Sequence, residues 1–402
     1  MKYKTSNLSL LFIGAATIIG NLFGTFTSAY PTWLKLLYGI CIYASLVYFP
    51  YNKIQPRFQT FGKYTKAILW LILILSIFEI IKGIFVENIL SGNQYMTLFF
   101  NPTFAPIFYN VLFLFYGEKK NITFLKKIVY INIIAIVIGL CFHSIDLRIV
   151  LIACSLYPIM NNKYKIAVFI LIVICLYVNF INQDLLGGGK RKLLIIIGVS
   201  FAAYICVYVL KKQFFIKILA LLLCLSPLVT LYNSIFQTGD SFFVKAGEYI
   251  SGNSTQTAIS INDTRTFLYK ELAEDLSHNN SWLLGKSAYS SYYSAYFEIN
   301  GSDSKNRAGS EVTILNYILR GGIIYAILWT LLLFISIKNA IYKSQNKWLK
   351  FVGINLAGFY FNSFMGDFSG FDLTTTSIWI LAGLSLNNQW LNIKDQQIKI
   401  LY

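Results

Sequence analysis

Charged residues are scarce in this sequence. Only 13% of the 402 residues are Asp, Glu, Lys or Arg, whereas 56% are hydrophobic. A soluble domain carries nearly twice that charged fraction, so the composition excludes an ordinary soluble globule. Apolar runs long enough to cross a bilayer core recur between short polar loops. The sequence therefore predicts an all-α polytopic membrane protein.

Side chains that bind metal ions or form disulfides are also few. The chain has two histidines, His143 and His278, and each of its six cysteines lies in a separate apolar run. This distribution argues against a zinc site and against a disulfide framework, so we predict no metal and no cofactor. The net charge of +17 does not indicate a nucleic-acid partner, because the basic residues lie in loops between apolar runs rather than on one soluble face.

The apolar runs predict about twelve transmembrane helices. The predicted spans are 8–28, 33–50, 67–85, 97–116, 128–142, 148–160, 166–181, 193–210, 214–232, 312–337, 351–366 and 373–388. Lysines and arginines cluster in alternate loops, on the side that holds Lys2 and Lys4. Because cytoplasmic loops are enriched in basic residues, we expect both termini in the cytoplasm.

One outer loop is long enough to hold structure of its own. The predicted division of the chain is an N-terminal bundle of nine spans at 1–232, the large outer loop at 233–311, and the C-terminal spans with a cytoplasmic tail at 312–402. Within the loop, residues 263–276 are expected to form an amphipathic helix capped by Asn262 or Asp263, because leucines recur every four residues along one face. These leucines are Leu268, Leu272 and Leu276.

One short basic cluster breaks the charge rule. Lys190, Arg191 and Lys192 follow three glycines between the seventh and eighth predicted spans, on the outer side. These side chains either snorkel to water beside a flexible turn or form a site for an anion at the membrane surface. Arg265 is equally unusual, because the helix dipole disfavours a cation in the first turn. A bound phosphate would reverse that penalty, whereas an ion pair with Asp263 would explain the arginine without a ligand.

The end of the outer loop and the start of the tenth span read RAGSEVTILNYILRGG, residues 307–322. Ser310 is expected to cap the helix and to leave Glu311 in its first turn, where a carboxylate is also favoured for purely structural reasons. Arg320 lies inside the span. A cation there costs about 2.5–3.5 kcal/mol on insertion scales, so we expect it to snorkel or to face a polar cavity, a lipid phosphate or a carboxylate such as Asp367.

Three segments of this region carry a family resemblance. They are NDTRTFLYKEL (262–272), WLLGKS (282–287) and RAGSEVTILNYILRGGIIYAI (307–327). They resemble segments of Wzy-type O-antigen and capsular repeat-unit polymerases, which belong to the O-antigen polymerase and ligase group of GT-C-type membrane glycosyltransferases. The match in residues covers 262–327, and upstream of Gly187 it is one of hydropathy.

The resemblance implies a metal-independent enzyme of the bacterial inner membrane whose active site faces the periplasm. Polymerases of this kind have essential arginines in two outer loops, and Arg191 and Arg265 occupy those two places. The related ligases have a histidine followed four positions later by leucine at the end of the large loop. Glu311 and Leu315 hold that pattern here, and the glutamate in place of histidine favours a polymerase.

The implied reaction transfers a growing glycan from its undecaprenyl diphosphate carrier to a sugar hydroxyl of the next lipid-linked oligosaccharide, with inversion. The leaving diphosphate requires positive charge, and the acceptor hydroxyl requires a base, for which Glu311 is the candidate. The candidate diphosphate- or glycan-binding residues are Arg191, Arg265, Arg307, Lys190 and Arg320. Membrane lipids and a chain-length regulator protein are the other expected partners.

Two alternatives stay open. A flippase or other transporter of lipid-linked oligosaccharides also suits the predicted number of spans, but the sequence shows no internal repeat and its polar residues concentrate outside the predicted spans. The second alternative is the ligase that joins finished glycan to the lipid A core, against which the missing loop-end histidine argues.

Overall fold

The computed structural model describes residues 5–23, 32–84, 107–140, 149–181, 190–236, 266–288, 290–294, 306–307 and 309–401. Within these ranges the protein is mostly helical, which confirms the predicted helical class. The described strands are β1 (Tyr292–Tyr293) and β2 (Asn306–Arg307), which pair antiparallel with Tyr292 opposite Arg307. Both belong to the predicted outer loop.

The helices of the first half of the chain are α1 (Thr5–Phe23), α2 (Thr32–Val47), α3 (Ile54–Thr60), α4 (Lys63–Ile84), α5 (Ile107–Val111), α6 (Lys119–Leu140), α7 (Ile149–Leu156), α8 (Asn162–Ile181), α9 (Lys190–Tyr204) and α10 (Gln213–Phe236). Short 3-10 turns extend α5 and α7, at Leu112–Tyr116 and Tyr157–Ile159. The predicted span 148–160 is therefore a short helix and a turn, whose apolar residues are largely buried among other helices.

The helices of the second half are α11 (Thr266–His278), α12 (Thr313–Lys338), α13 (Lys347–Asn362), α14 (Leu373–Leu386), α15 (Asn388–Leu391) and α16 (Asp395–Leu401). Two segments, Lys63–Gly83 and Thr313–Lys343, are long and apolar enough to cross a membrane. The other predicted spans coincide at least in part with further described helices, and several of them extend beyond the described residues. The topology of about twelve spans stays a prediction.

The predicted helix at 263–276 is present as α11. Leu268, Leu272 and Leu276 are 1%, 2% and 0% exposed, because the four-residue spacing places all three on the face that packs against the protein. Its predicted caps, Asn262 and Asp263, lie outside the described residues. The leucine pattern therefore gave the correct buried face.

The centre of the fold is α14, of which every residue is buried. Its N-cap is Asp372, whose carboxylate accepts a hydrogen bond from the Thr375 N–H at 2.8 Å and so satisfies a backbone donor at the start of the helix. α14 packs against α12, α13 and the turn Leu112–Tyr116. α4 packs along α12, and this pair positions the site described below.

Several outer helices have large apolar side chains on their exposed faces. On α4 the exposed side chains include Trp70, Ile74, Ile77 and Ile81, whereas Ser76 and Glu79 are buried on the opposite side at 2% exposure each. α8 and α10 likewise expose hydrophobic residues, among them Ile166, Phe169, Ile170, Leu221, Leu222, Leu225 and Val229. A helix with its apolar face outward and its polar groups inward is the reverse of the usual arrangement in water.

Candidate functional site: a polar cluster at the break in α12

The helix α12 is interrupted at Gly322, which has a φ of 74° and a ψ of −176°. Such a break removes helical hydrogen bonds, and the freed backbone groups need new partners. The WLLGKS segment supplies them: the Lys286 N–H donates to the Leu319 carbonyl at 2.7 Å, and the Ile323 N–H donates to the Trp282 carbonyl at 2.8 Å. This segment of the predicted outer loop therefore provides hydrogen-bond partners for the backbone groups at the break in α12.

Glycines make this close approach possible. Gly285 and Gly322 both have a positive φ, at 63° and 74°. A Cβ on Gly322 would collide with the Leu283 carbonyl, and a Cβ on Gly285 would collide with the Arg320 carbonyl. The backbone of the WLLGKS segment thus occupies the space that a side chain at position 322 would need, and the backbone of α12 occupies the space that a side chain at position 285 would need. The close contact of the two segments therefore requires glycine at both positions.

Three polar residues of α4 face the break. Ser76, Glu79 and Lys82 are spaced by three residues and so lie along one side of the helix. The Ser76 hydroxyl bonds the Tyr325 hydroxyl at 3.0 Å, and the Lys82 ammonium donates to the Gly285 carbonyl at 2.6 Å. Glu79 lies between these two contacts and points at Gly321, where an added Cβ would collide with Glu79 Oε1.

Arg320 directly precedes Gly321, the residue beside the Glu79 carboxyl, and is 6% exposed. The carboxylates of Glu79 and Asp367 are both within electrostatic range of its guanidinium. Asp367 is one of the neighbours that the sequence analysis considered for Arg320, whereas Glu79 was not considered there. Glu79 could have been found, since it is the one acidic residue in the apolar run 67–85 and an ionisable group inside such a run is a functional candidate by default.

A hydrogen-bond network connects this charged cluster to the end of the outer loop. The Asn316 amide donates to Asp367 Oδ1 at 3.2 Å and to the Ser310 carbonyl at 2.8 Å. The Ser310 N–H in turn donates to Asn316 Oδ1 at 2.6 Å. Ser369 donates to Asp367 Oδ1 through its hydroxyl at 2.6 Å and through its N–H at 2.8 Å. These bonds fix the Asp367 carboxylate in position.

The start of α12 differs from the prediction. The helix begins at Thr313 after Val312, so Ser310 is not its N-cap and Glu311 is not in its first turn. Ser310 instead accepts a hydrogen bond from the Val312 N–H at 3.2 Å in a turn ahead of the helix. The physical reason is that Asn316 binds both the N–H and the carbonyl of Ser310, which holds that residue outside the helix.

Glu311 is exposed and pairs with Arg307 at 3.0 Å. Arg307 belongs to β2, opposite the buried Tyr292 of β1. Burial raises the pKa of Tyr292 to about 12, while the positive charge of Arg307 acts in the opposite direction. The Tyr292 hydroxyl therefore keeps its proton at neutral pH beside the Arg307–Glu311 pair.

The structure brings some of the predicted site residues together and leaves others untested. Glu311 and Arg307 form one pair, and the Ser310–Asn316–Asp367 network connects their segment to the Arg320 cluster. Lys190 and Arg191 begin α9, but their side chains lie outside the described part of the chain. Arg265 also falls outside it, in the residue just before α11.

The module formed by α11, the WLLGKS segment and α12 is held by further polar contacts. The Lys286 ammonium pairs with Asp275 of α11 at 2.8 Å. The Trp282 indole N–H donates to the Ser277 hydroxyl at 3.0 Å, and the Tyr269 hydroxyl donates to the Phe364 carbonyl at 2.7 Å. Parts of all three segments quoted in the sequence analysis thus belong to one packed unit.

Comparison of the chain with protein-family models, with curated proteins and with solved structures gives no match. The chemistry and position of the site must therefore indicate the function.

Proposed function

We propose that this protein is a membrane glycosyltransferase that polymerises undecaprenyl diphosphate-linked oligosaccharide repeat units. The observation that carries the proposal is the packing of the three resembling segments around the break in α12, with Arg320 at its centre. The glycosyl transfer that we propose for this unit is the reaction that the family resemblance implies.

We infer that the chain is an integral protein of the bacterial inner membrane, with about twelve spans and both termini in the cytoplasm. The outward apolar faces of α4, α8 and α10 support this location, since lipid tails would cover them. The buried Ser76 and Glu79 then face protein rather than lipid. A chain released from membranes by alkaline extraction would contradict the inference.

In this topology Arg320 lies below the outer membrane surface. It is seven residues into α12 from Thr313, about 10 Å along the axis at the usual rise per residue. The diphosphate of a carrier lipid resides at that surface, so a guanidinium at this depth is within reach of a phosphate that enters between the helices. Positive charge there would stabilise the leaving diphosphate as the glycosidic bond breaks.

Glu311 is the proposed general base for the acceptor hydroxyl. Its exposure allows a sugar to approach, and Arg307 orients its carboxylate from one side. The proposed diphosphate- or glycan-binding groups on the outer side are Arg191, Arg265 and Lys190. The proposed reaction proceeds with inversion and without a metal. A chain-length regulator is the proposed protein partner.

One observation favours a second candidate, a transporter of lipid-linked oligosaccharides. Transporters place charged groups at interrupted helices inside the membrane, and α12 with Glu79, Arg320 and Asp367 has that character. This argument is stronger than the sequence alone suggested, because Glu79 places a carboxylate within a predicted span.

Deletion of the gene followed by gel analysis of surface glycan separates the candidates. We expect the deleted cells to carry single repeat units in place of a ladder of longer chains. Accumulation of lipid-linked units in the cytoplasmic leaflet would indicate a transporter instead, and loss of all attached glycan would indicate a ligase. Restoration of the ladder by a plasmid copy of the gene is the control.

A further inference from the structure

We infer that Lys82, at the end of α4 beside the break in α12, is a further binding residue for the diphosphate of the carrier lipid. This assignment rests on the proposed function, because it adds a second cation to the site where that function places the leaving diphosphate. In this scheme the Lys82 ammonium contacts the phosphate itself.

The contacts between α4 and α12 place Lys82 toward the start of α12. Ser76 of α4 bonds Tyr325 at 3.0 Å. Glu79, further along α4, lies against Gly321, which comes earlier in α12. The two helices therefore run in opposite directions, and Lys82, three residues after Glu79, lies nearly one turn closer to the start of α12. In the predicted topology this is the outer end of both helices, where the carrier diphosphate resides.

The Lys82 ammonium is held next to the turn of α12 that contains Arg320. It donates to the Gly285 carbonyl at 2.6 Å. Gly285 in turn packs so closely on the Arg320 carbonyl that an added Cβ would collide with it. A lysine that only snorkelled to water would extend away from the protein, whereas this side chain reaches a backbone group of the WLLGKS segment. The contact therefore brings a second cationic side chain to the break.

The Lys82 ammonium has donors left for an anion. An ammonium has three N–H groups, and the Gly285 carbonyl accepts from one of them. Among the described residues no carboxylate lies within ion-pair distance of Lys82. Lys286 differs in this respect, because its ammonium pairs with Asp275 at 2.8 Å. Lys82 is partly buried, and a partly buried charge with one neutral partner is poorly compensated.

A phosphate is the ligand that suits this position. The helix dipole at the end of α4 already favours a cation, but a phosphate oxygen carries formal charge and is the stronger partner. Lysine binds phosphate as a point charge with rotatable donors, whereas Arg320 offers a planar fork. Because the two side chains belong to different helices, a diphosphate between the helices can bind both and compensate both charges.

The test measures binding rather than glycan extension. Purified protein in detergent is titrated with undecaprenyl diphosphate or with undecaprenol, which lacks the phosphates, and the rise in melting temperature gives the Kd of each lipid. We expect Lys82→Gln to weaken binding of the diphosphate lipid about tenfold, as loss of one charge-assisted hydrogen bond does, and to leave undecaprenol binding unchanged. Lys82→Arg keeps the charge and should recover most of that loss. The matched control is Lys66→Gln, which changes a partly buried lysine at the opposite end of α4 and should bind both lipids as the wild type does.

A labelling experiment on the wild-type protein decides the case in which Lys82→Gln does not fold. Lysines are acetylated with an amine-reactive ester in the presence of either lipid, and the extent of reaction at Lys82 is read from its peptide by mass spectrometry. We expect undecaprenyl diphosphate to slow the acetylation of Lys82 relative to undecaprenol and to leave that of Lys66 unchanged. Equal acetylation of Lys82 with both lipids, or a folded Lys82→Gln protein with the wild-type Kd for the diphosphate lipid, would overturn the inference.

These outcomes separate the role of Lys82 from the proposed function. Diphosphate binding that does not depend on Lys82, in a protein that extends glycan, would remove the role of Lys82 alone. Binding that depends on Lys82, in a protein that extends no glycan, would keep the diphosphate site and contradict the polymerase.

Discussion

Glu118 shows how a single carboxylate connects two parts of the chain outside the predicted spans. Its oxygens lie 2.8 Å from the Lys53 ammonium and 3.3 Å from the Arg57 guanidinium. Burial raises the pKa of Glu118, but these two cations outweigh that effect and hold it below its usual value. The carboxylate thus joins the loop between the second and third predicted spans to the start of α6.

The lowered pKa predicts how this contact depends on pH. Because the folded-state pKa of Glu118 lies below the unfolded value, its stabilisation is fully present above the unfolded pKa of about 4.3 and is lost as pH falls through the folded pKa. We expect Glu118→Gln to lower the free energy of unfolding by up to about 1 kcal/mol at pH 7, which is in the range of partly exposed ion pairs. At a pH below the folded-state pKa the substitution should leave the free energy of unfolding unchanged. Melting curves of both proteins from pH 7 down to pH 3 measure this.

The matched control is Glu274→Gln, which changes an exposed carboxylate on α11. Its melting temperature should follow that of the wild type across the same pH range. If the melting temperature of Glu118→Gln stayed below that of the wild type by the same amount down to pH 3, the side chain would act through packing rather than charge.

Single residues of the site differ in how far sequence could assign them. Arg320 was predicted to snorkel or to face a polar cavity, a lipid phosphate or a carboxylate such as Asp367, because a cation in an apolar run is costly. Its side chain is buried, and Asp367 acts on it electrostatically. Glu79 was missed as a candidate although an acidic residue inside an apolar run is a sign of one. Its place near Arg320, some 240 residues later in the chain, could not be predicted from spacing along the sequence. Arg265 and the side chain of Arg191 stay predictions, since they lie outside the described residues.

At the scale of elements, the break in α12 organises the site. Sequence placed a continuous helix over 312–337, and the Gly321–Gly322 pair was the local sign that it would be interrupted. What the sequence could not provide was the partner of the break, the WLLGKS segment. The predicted N-cap Ser310 was wrong for a similar reason, since Asn316, whose amide also donates to Asp367, binds the turn that precedes the helix.

The break predicts a large effect of a small substitution. Gly322→Ala introduces a Cβ at positive φ and against the Leu283 carbonyl, so we expect it to destabilise the protein by at least about 1–3 kcal/mol. Gly198→Ala, in α9 where an added Cβ meets nothing within 4 Å, is the control and should be neutral or slightly stabilising. Thermal unfolding of the purified proteins in one detergent measures both changes.

Equal melting temperatures for Gly322→Ala and the wild type would show that the helix can pass through this point without a break. In that case the WLLGKS segment would lose its backbone partners on α12, and the site would need to be rebuilt around a straight helix.

At the scale of the whole molecule, the fold packs α11 and the WLLGKS segment against α12, within a set of helices several of which have apolar exposed faces. Hydropathy predicted the helical class because burial and membrane insertion both depend on apolar periodicity and length. It could not predict which helices touch, and the contact of α4 with α12 is the one that completes the charged cluster. The proposed activity depends on that contact as much as on the outer loop.

The central claim is that Arg320, held at the break in α12, makes the protein a glycan polymerase. The most direct measurement is extension of extracted lipid-linked repeat units by the purified protein in liposomes, resolved on a gel, for the wild type and for Arg320→Gln. We predict a ladder of products from the wild type and single units from a folded, membrane-inserted Arg320→Gln protein. A full ladder from Arg320→Gln, or single units from the wild type, would contradict the claim.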